Sequence, residues 1–129
     1  QRARCIVAVC SFNTRDDILR ALEAPDVTLL SLFENEYIFT RETFETSLPT
    51  PPYNKGELLV KLLLRPDRIK SAHMLFVDDD QSNVTDVTAA APGCATVLSP
   101  KVGIGKKECD AIVKWAGVAT LTARWPADS

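Results

Sequence analysis

The chain has 129 residues, 46% of them hydrophobic and 25% charged, with a formal net charge of −2 and an isoelectric point near 5.4. That is enough apolar material for a core in one globular domain, residues 1–129, and the mild acidity, with no basic stripe interleaved with aromatics, argues against nucleic acid as a partner. The longest apolar run, residues 58–64, is broken by Lys61 and falls far short of the roughly 20 residues that cross a bilayer, so no membrane partner is expected.

The chain opens Gln1-Arg2-Ala3-Arg4 with neither Met nor a signal-peptide profile, which reads as an excised or processed piece. Residues 4–10 then form a nearly continuous run of small and β-branched apolar side chains, the composition of a strand buried on both faces. Cys5 and Cys10 on that strand point to opposite faces and cannot easily bridge. With Cys94 and Cys109 they show no metal-ligand spacing, so reduced thiols and a cytoplasmic location are expected.

The strand ends at Ser11-Phe12-Asn13-Thr14, where Asn13 and Thr14 each have an aspartate three positions later. That predicts a helix from there to Ala24, stopped by Pro25. Ser11 is either a hydroxyl aimed at the sheet edge or a turn serine that satisfies its own backbone. Residues 26–33 are ambiguous between strand and helical turn, and residues 36–39 read as a short strand at an edge. Residues 40–54, with Pro49, Pro51 and Pro52 and little periodicity, read as a loop of the length that is often functional. Residues 55–64 form a leucine-rich helix closed by Pro66, and residues 65–70 lead through a short helical turn into the next strand.

That next stretch, residues 73–84, organises the chain. An apolar run of strand length stops at Asp78-Asp79-Asp80, and residues suited to starting a helix follow at once. A buried parallel strand would so deliver carboxylates to the carboxyl edge of a sheet, where open α/β sheets bind ligands. Crowded carboxylates repel one another unless a hard cation such as Mg2+ joins them, which points to metal-assisted chemistry on a phosphate. The plainer reading is a strand exit with Asp80 or Ser82 capping the helix. His73, the single histidine, sits at the strand start and supports neither a zinc site nor a catalytic triad.

Residues 82–91 form a helix ended by Pro92-Gly93, residues 94–98 another buried strand, and residues 99–105 a loop. Cys109, Ile112, Val113 and Ala116 recur at helical spacing, which predicts an amphipathic helix over residues 106–116; the path of residues 119–129 stays open. Gly103-Ile104-Gly105-Lys106 lacks the full spacing of a phosphate loop. Asn83-Val84-Thr85 matches a glycosylation acceptor, which a reduced-thiol protein would not use. The alternation of strands and helices predicts an α/β fold, a Rossmann-like three-layer sandwich with a mainly parallel sheet and helices on both faces. Strands 4–10, 73–78 and 94–98 should run parallel, with Ser11, Lys55 and Asp78 meeting at their carboxyl ends.

Four features in this order resemble the haloacid dehalogenase superfamily of phosphohydrolases, and most nearly its small capless magnesium-dependent phosphatases. They are the strand running into Ser11-Phe12-Asn13, Lys55 at a helix start, Leu75-Phe76-Val77-Asp78-Asp79 with Asn83 beyond it, and a further strand with a glycine-containing loop. The resemblance covers residues 5–115. It implies that Ser11, Phe12 and Asn13 bind phosphate, Ser11 through its hydroxyl. Lys55 would bind phosphate and neutralise it together with the nucleophile, and Lys61, on a helix's wet face, is the alternative. Asp78 would share the catalytic role with Lys55, and Asp78 and Asp79 would place Mg2+. Asn83 would hydrogen-bond locally.

One departure from the family pattern matters. The family's nucleophile lies in an Asp-x-Asp motif on a central strand, and no such motif precedes Ser11 here. Without that strand two buried edges would go unpaired, at about 1–3 kcal/mol per backbone group. Two expectations follow. The chain is a phosphoric-monoester hydrolase using an aspartyl-phosphate mechanism, its nucleophile supplied by an upstream segment or a partner chain that completes the sheet. Alternatively it is a non-catalytic binding or structural subunit that keeps the fold. The substrate class stays open.

Overall fold

The computed structural model describes residues 6–23, 33–101, 106–107 and 109–116. Contacts divide the chain into two compact units, Cys5–Tyr53 and a second built on Asn54–Ser129. It is an α/β chain, with a two-stranded parallel sheet in each unit.

In the first unit, β1 (Val9–Cys10) pairs in parallel with β2 (Ile38–Phe39), Val9 opposite Ile38 and Cys10 opposite Phe39. The ladder runs on through Ser11 N–H to the Phe39 carbonyl at 3.0 Å and Arg41 N–H to the Asn13 carbonyl at 2.9 Å. Parallel strands need a crossover, and α1 (Arg15–Leu22) lies within it. Thr14 caps α1 by accepting from Asp17 N–H at 3.4 Å, and Asp16 and Asp17 in the first turn suit the positive end of the helix dipole. The helix is as expected up to Leu22; Ala24, Cys5 and most of the ambiguous stretch 26–33 lie outside the described residues.

Two expectations for this unit are corrected. The strand foreseen over residues 4–10 is two residues long within the described chain, and Val7 is 46% exposed, so the run is not buried on both faces. Residues 40–54 are not all loop, because α2 (Arg41–Ser47) forms inside them. Thr40 N–H donates to Thr43 Oγ1 at 2.9 Å at its start, and a single apolar anchor, Phe44, is wholly buried, its ring 4.7 Å from that of Phe12 and 5.9 Å from that of Tyr53. One anchor in seven residues leaves no periodicity to detect. Residues 36–39 resolve into a 3-10 turn, Asn35–Tyr37, followed by the short strand β2, at the edge of its two-stranded sheet as expected, and Tyr37, Ile38 and Phe39 are buried.

In the second unit, α3 (Lys55–Leu59) continues as a π-helical stretch, Val60–Leu64. Asn54 caps it by accepting from Glu57 N–H at 3.0 Å. Arg68 adopts φ 54° and Ile69 N–H donates back to the Leu64 carbonyl at 2.8 Å, so a left-handed residue closes the helix where glycine is usual. The strand β3 (Leu75–Asp78) follows a 3-10 turn at Ser71–His73 and pairs in parallel with β4 (Ala95–Leu98), Leu75 opposite Ala95 through Asp78 opposite Leu98. Their crossover is α4 (Gln81–Ala90), whose start Asp80 caps by accepting from Ser82 N–H at 2.9 Å. Helix α4 packs on α3 and on both strands. Leu58, Leu59, Leu63, Leu64, Met74, Phe76, Val84, Val87 and Ala91 make the core. A Cβ on Gly56 would lie 2.4 Å from the Asp86 carbonyl oxygen and 2.7 Å from Ala90 Cβ, so only glycine lets α3 and α4 come this close.

The strand over 94–98 is not buried on both faces: Thr96 and Leu98, on the face opposite Ala95 and Val97, are exposed, Leu98 to 50%. Alternate strand residues face opposite ways, and α4 covers one face. Residues 106–107 and 109–116 are helical as foreseen, yet Val113 is 71% exposed and Cys109 also faces solvent, so only Ile112 and Ala116 of the expected apolar stripe are partly covered. The Gly103-Gly105 loop and residues 119–129 lie outside the described residues. Among the described residues no helix is long and apolar enough to cross a membrane. Cys94 and Cys109 are free thiols, and burial pushes the Cys94 thiol up to about 11.

Candidate functional site

The second unit gathers its polar chemistry at the carboxyl end of β3. Asp78 is the last residue of that strand, and β4 fixes it from the side, since Ser99 N–H donates to the Asp78 carbonyl at 2.9 Å. Lys55 is the first residue of α3, where a cap at Asn54 sets the start of the helix. The Lys55 ammonium donates to Asp78 Oδ2 at 2.7 Å, with both side chains only 8% exposed.

The remaining donors come from the start of α4. Asp80 N–H donates to Asp78 Oδ1 at 2.9 Å, and the Asn83 side-chain amide donates to Oδ1 at 3.3 Å and Oδ2 at 3.4 Å. Burial pushes the Asp78 carboxyl up, but the Lys55 ammonium, the Asp80 amide and the Asn83 amide outweigh it and hold the group below the usual carboxylate value. Asp80 also titrates low, because the Ser82 hydroxyl donates to its Oδ1 at 2.7 Å and the Ser82 amide at 2.9 Å. It therefore serves as the helix cap. Asp79 is exposed at the bend between strand and helix.

Compared with protein-family models, curated protein sequences and solved structures, the chain matches none of them.

Of the residues singled out in the sequence, the structure brings Lys55, Asp78 and Asn83 together, and Lys55 rather than the exposed Lys61 is the lysine at Asp78. Ser11, Phe12 and Asn13 belong to the other unit. There Ser11 Oγ accepts from Asn13 N–H at 3.1 Å, as a turn serine does, and Phe12 stacks on Phe44. His73 is partly buried in a 3-10 turn.

The backbone amide of Asp80 is the contributor that pattern reading missed. Three consecutive acids announce a cap and a carboxylate, but not that the capping residue's own N–H turns back to the first of them. Missed as well was Arg15 in the first unit. Its guanidinium donates to the Ile38 carbonyl at 3.2 Å and to Asn35 Oδ1, while Glu42 Oε1 accepts from Arg15 N–H at 2.9 Å and from the Thr40 hydroxyl at 3.0 Å. These bonds tie α1 to β2 and α2, a structural role.

Among the described residues no group of three or more His, Cys, Asp or Glu side chains is placed to hold a metal ion. The donor set still bears on the question. A carboxylate offers about four lone-pair sites, and Lys55, Asp80 and Asn83 occupy three at Asp78 if the long Asn83 contacts count as one shared bond. The residues that could hold a metal ion are thus Asp78, through the site that remains, and the exposed Asp79 next to it in sequence.

Proposed function

We propose that this chain belongs to a magnesium-dependent phosphoric-monoester hydrolase of the haloacid dehalogenase type, contributing the part that holds the phosphate and the metal. The observation that carries the reading is the buried Lys55–Asp78 pair at the carboxyl end of a parallel strand, with α4 beginning directly beyond it. An equatorial phosphate charge needs a fixed cation beside it, and the Lys55 ammonium is one. Lys55 holds charge complementary to the phosphate, Asp78 keeps that ammonium in place, and Asp78 with Asp79 would hold Mg2+, which when bound offsets further phosphate charge. Ser11, Phe12 and Asn13 enter as phosphate-binding residues on the strength of the resemblance. A Rossmann-like three-layer sandwich comes with this reading, supported by the α/β alternation and the parallel pairings, and so does a cytoplasmic setting, which rests on the reading of the cysteines as reduced thiols.

A second reading has its own support. Lys55, the Asp80 amide and the Asn83 amide together look like a staple joining β3 to α3 and α4, which suits a binding or structural subunit that keeps the fold without the chemistry. The two readings separate on binding. The hydrolase reading expects inorganic phosphate plus Mg2+ to raise the melting temperature of the 129-residue chain. It also expects negligible turnover of an aryl phosphate, since no Asp-x-Asp precedes Ser11. The staple reading expects no shift. Magnesium-dependent turnover lost in Asp78→Asn would mean that a different carboxylate attacks.

A further inference from the structure

The three donors on Asp78 are unequal. Lys55 and the Asp80 amide approach at 2.7 and 2.9 Å, one to each oxygen, while the Asn83 amide spans both at 3.3 and 3.4 Å. At that length each contact is weaker than those of Lys55 and the Asp80 amide, because N–H···O bonds lie mostly between about 2.7 and 3.2 Å, but one amide reaches both oxygens. What it can do is resist rotation. The terminal torsion of aspartate is broad and nearly two-fold, so a carboxylate with one donor per oxygen still has freedom to swivel, carrying the ammonium with it.

We propose that Asn83 is a positioning residue, which acts through Asp78 to keep the Lys55 ammonium at the end of β3. Its place in the first turn of α4, beside the Asp80 amide, means that one helix start supplies two of the three restraints. The residue type fits the task. A carboxylate at this position would put a second negative charge against Asp78, and serine is too short to span both oxygens. The placement stands on geometry; its use in presenting Lys55 to a phosphate rests on the hydrolase reading above.

The test is acylation of lysine by a water-soluble ester, read by peptide mass mapping as the rate at Lys55 relative to Lys106, whose side chain is 90% exposed. Asn83→Ala should raise that ratio roughly tenfold, the rate equivalent of one charge-assisted hydrogen bond. Asp78→Ala should raise it at least as far, and adding Asn83→Ala to Asp78→Ala should change nothing more. A purely structural asparagine would lower the melting temperature without moving the ratio, or would act equally in the Asp78→Ala background; either result overturns the proposal. A second readout needs no change at position 83. The Asn83 side-chain amide resonances should move to exposed-amide positions in Asp78→Ala, and resonances that stay put would contradict the proposal. Labelling as expected, together with no Mg2+ or phosphate binding by the parent chain, would sink the hydrolase reading and leave the positioning role standing.

Discussion

Lys55 Nζ and Asp78 Oδ2 lie 2.7 Å apart, and each side chain is 92% removed from solvent, being 8% exposed. A pair this dry is held by its partners, and losing one partner leaves the other charged and buried. Lys55→Met alone should therefore cost about 3–5 kcal/mol in denaturant unfolding, and Lys55→Met with Asp78→Leu should recover much of that loss. Additive losses in the double variant would show that the pair is not coupled.

The same pair sets an acid sensitivity. The Asp78 carboxyl titrates below its ordinary value of 3.8, so the folded state binds that proton less readily than the unfolded chain does. The stability it contributes is fully present above the ordinary value and is lost as pH falls through the lower, folded one. Between the parent and Asp78→Asn, unfolding free energies measured down a pH series should converge below about pH 3.8. A constant gap across that range would remove Asp78 from the acid response.

Gly56 presents a purely steric case. Its missing side chain admits the Asp86 carbonyl, and a methyl group there must push α3 and α4 apart. Gly56→Ala should cost about 1–3 kcal/mol despite alanine's better helix propensity, as overpacking does. Calorimetric melting decides it, and an unchanged or raised transition would mean that the two helices yield freely.

These residues also mark what could be read in advance. Helix starts at Thr14 and Asp80 were legible, because a cap and the amide it accepts are three residues apart at most. The approach of Lys55 to Asp78 was legible through the resemblance, which also gave Asn83 a local hydrogen bond, whereas Ser11, expected with them, belongs to the other unit. Helix α2 was not, since Phe44 is its one buried residue and Thr40 with Thr43 carry the start. The parallel sense of the strands at residues 75–78 and 95–98 was legible from the alternation of strand and helix, but which strand faces are covered was not. Whether Val7, Thr96 or Leu98 meets a neighbour depends on contacts distant in sequence, and all three proved exposed where a β-branched or apolar run suggested burial. Gly56 gave no sign of its role, because a close approach depends on the other helix.

The central claim is that Asp78 belongs to a metal and phosphate site while the Asp80 carboxylate serves only to cap α4. Calorimetric titration of Mg2+ in the presence of inorganic phosphate, on the parent chain, Asp78→Asn and Asp80→Asn, tests it most directly. The account predicts measurable binding by the parent, a loss of roughly tenfold or more in Asp78→Asn, and a much smaller change in Asp80→Asn. Equal losses in both variants, or no binding by the parent, would contradict it.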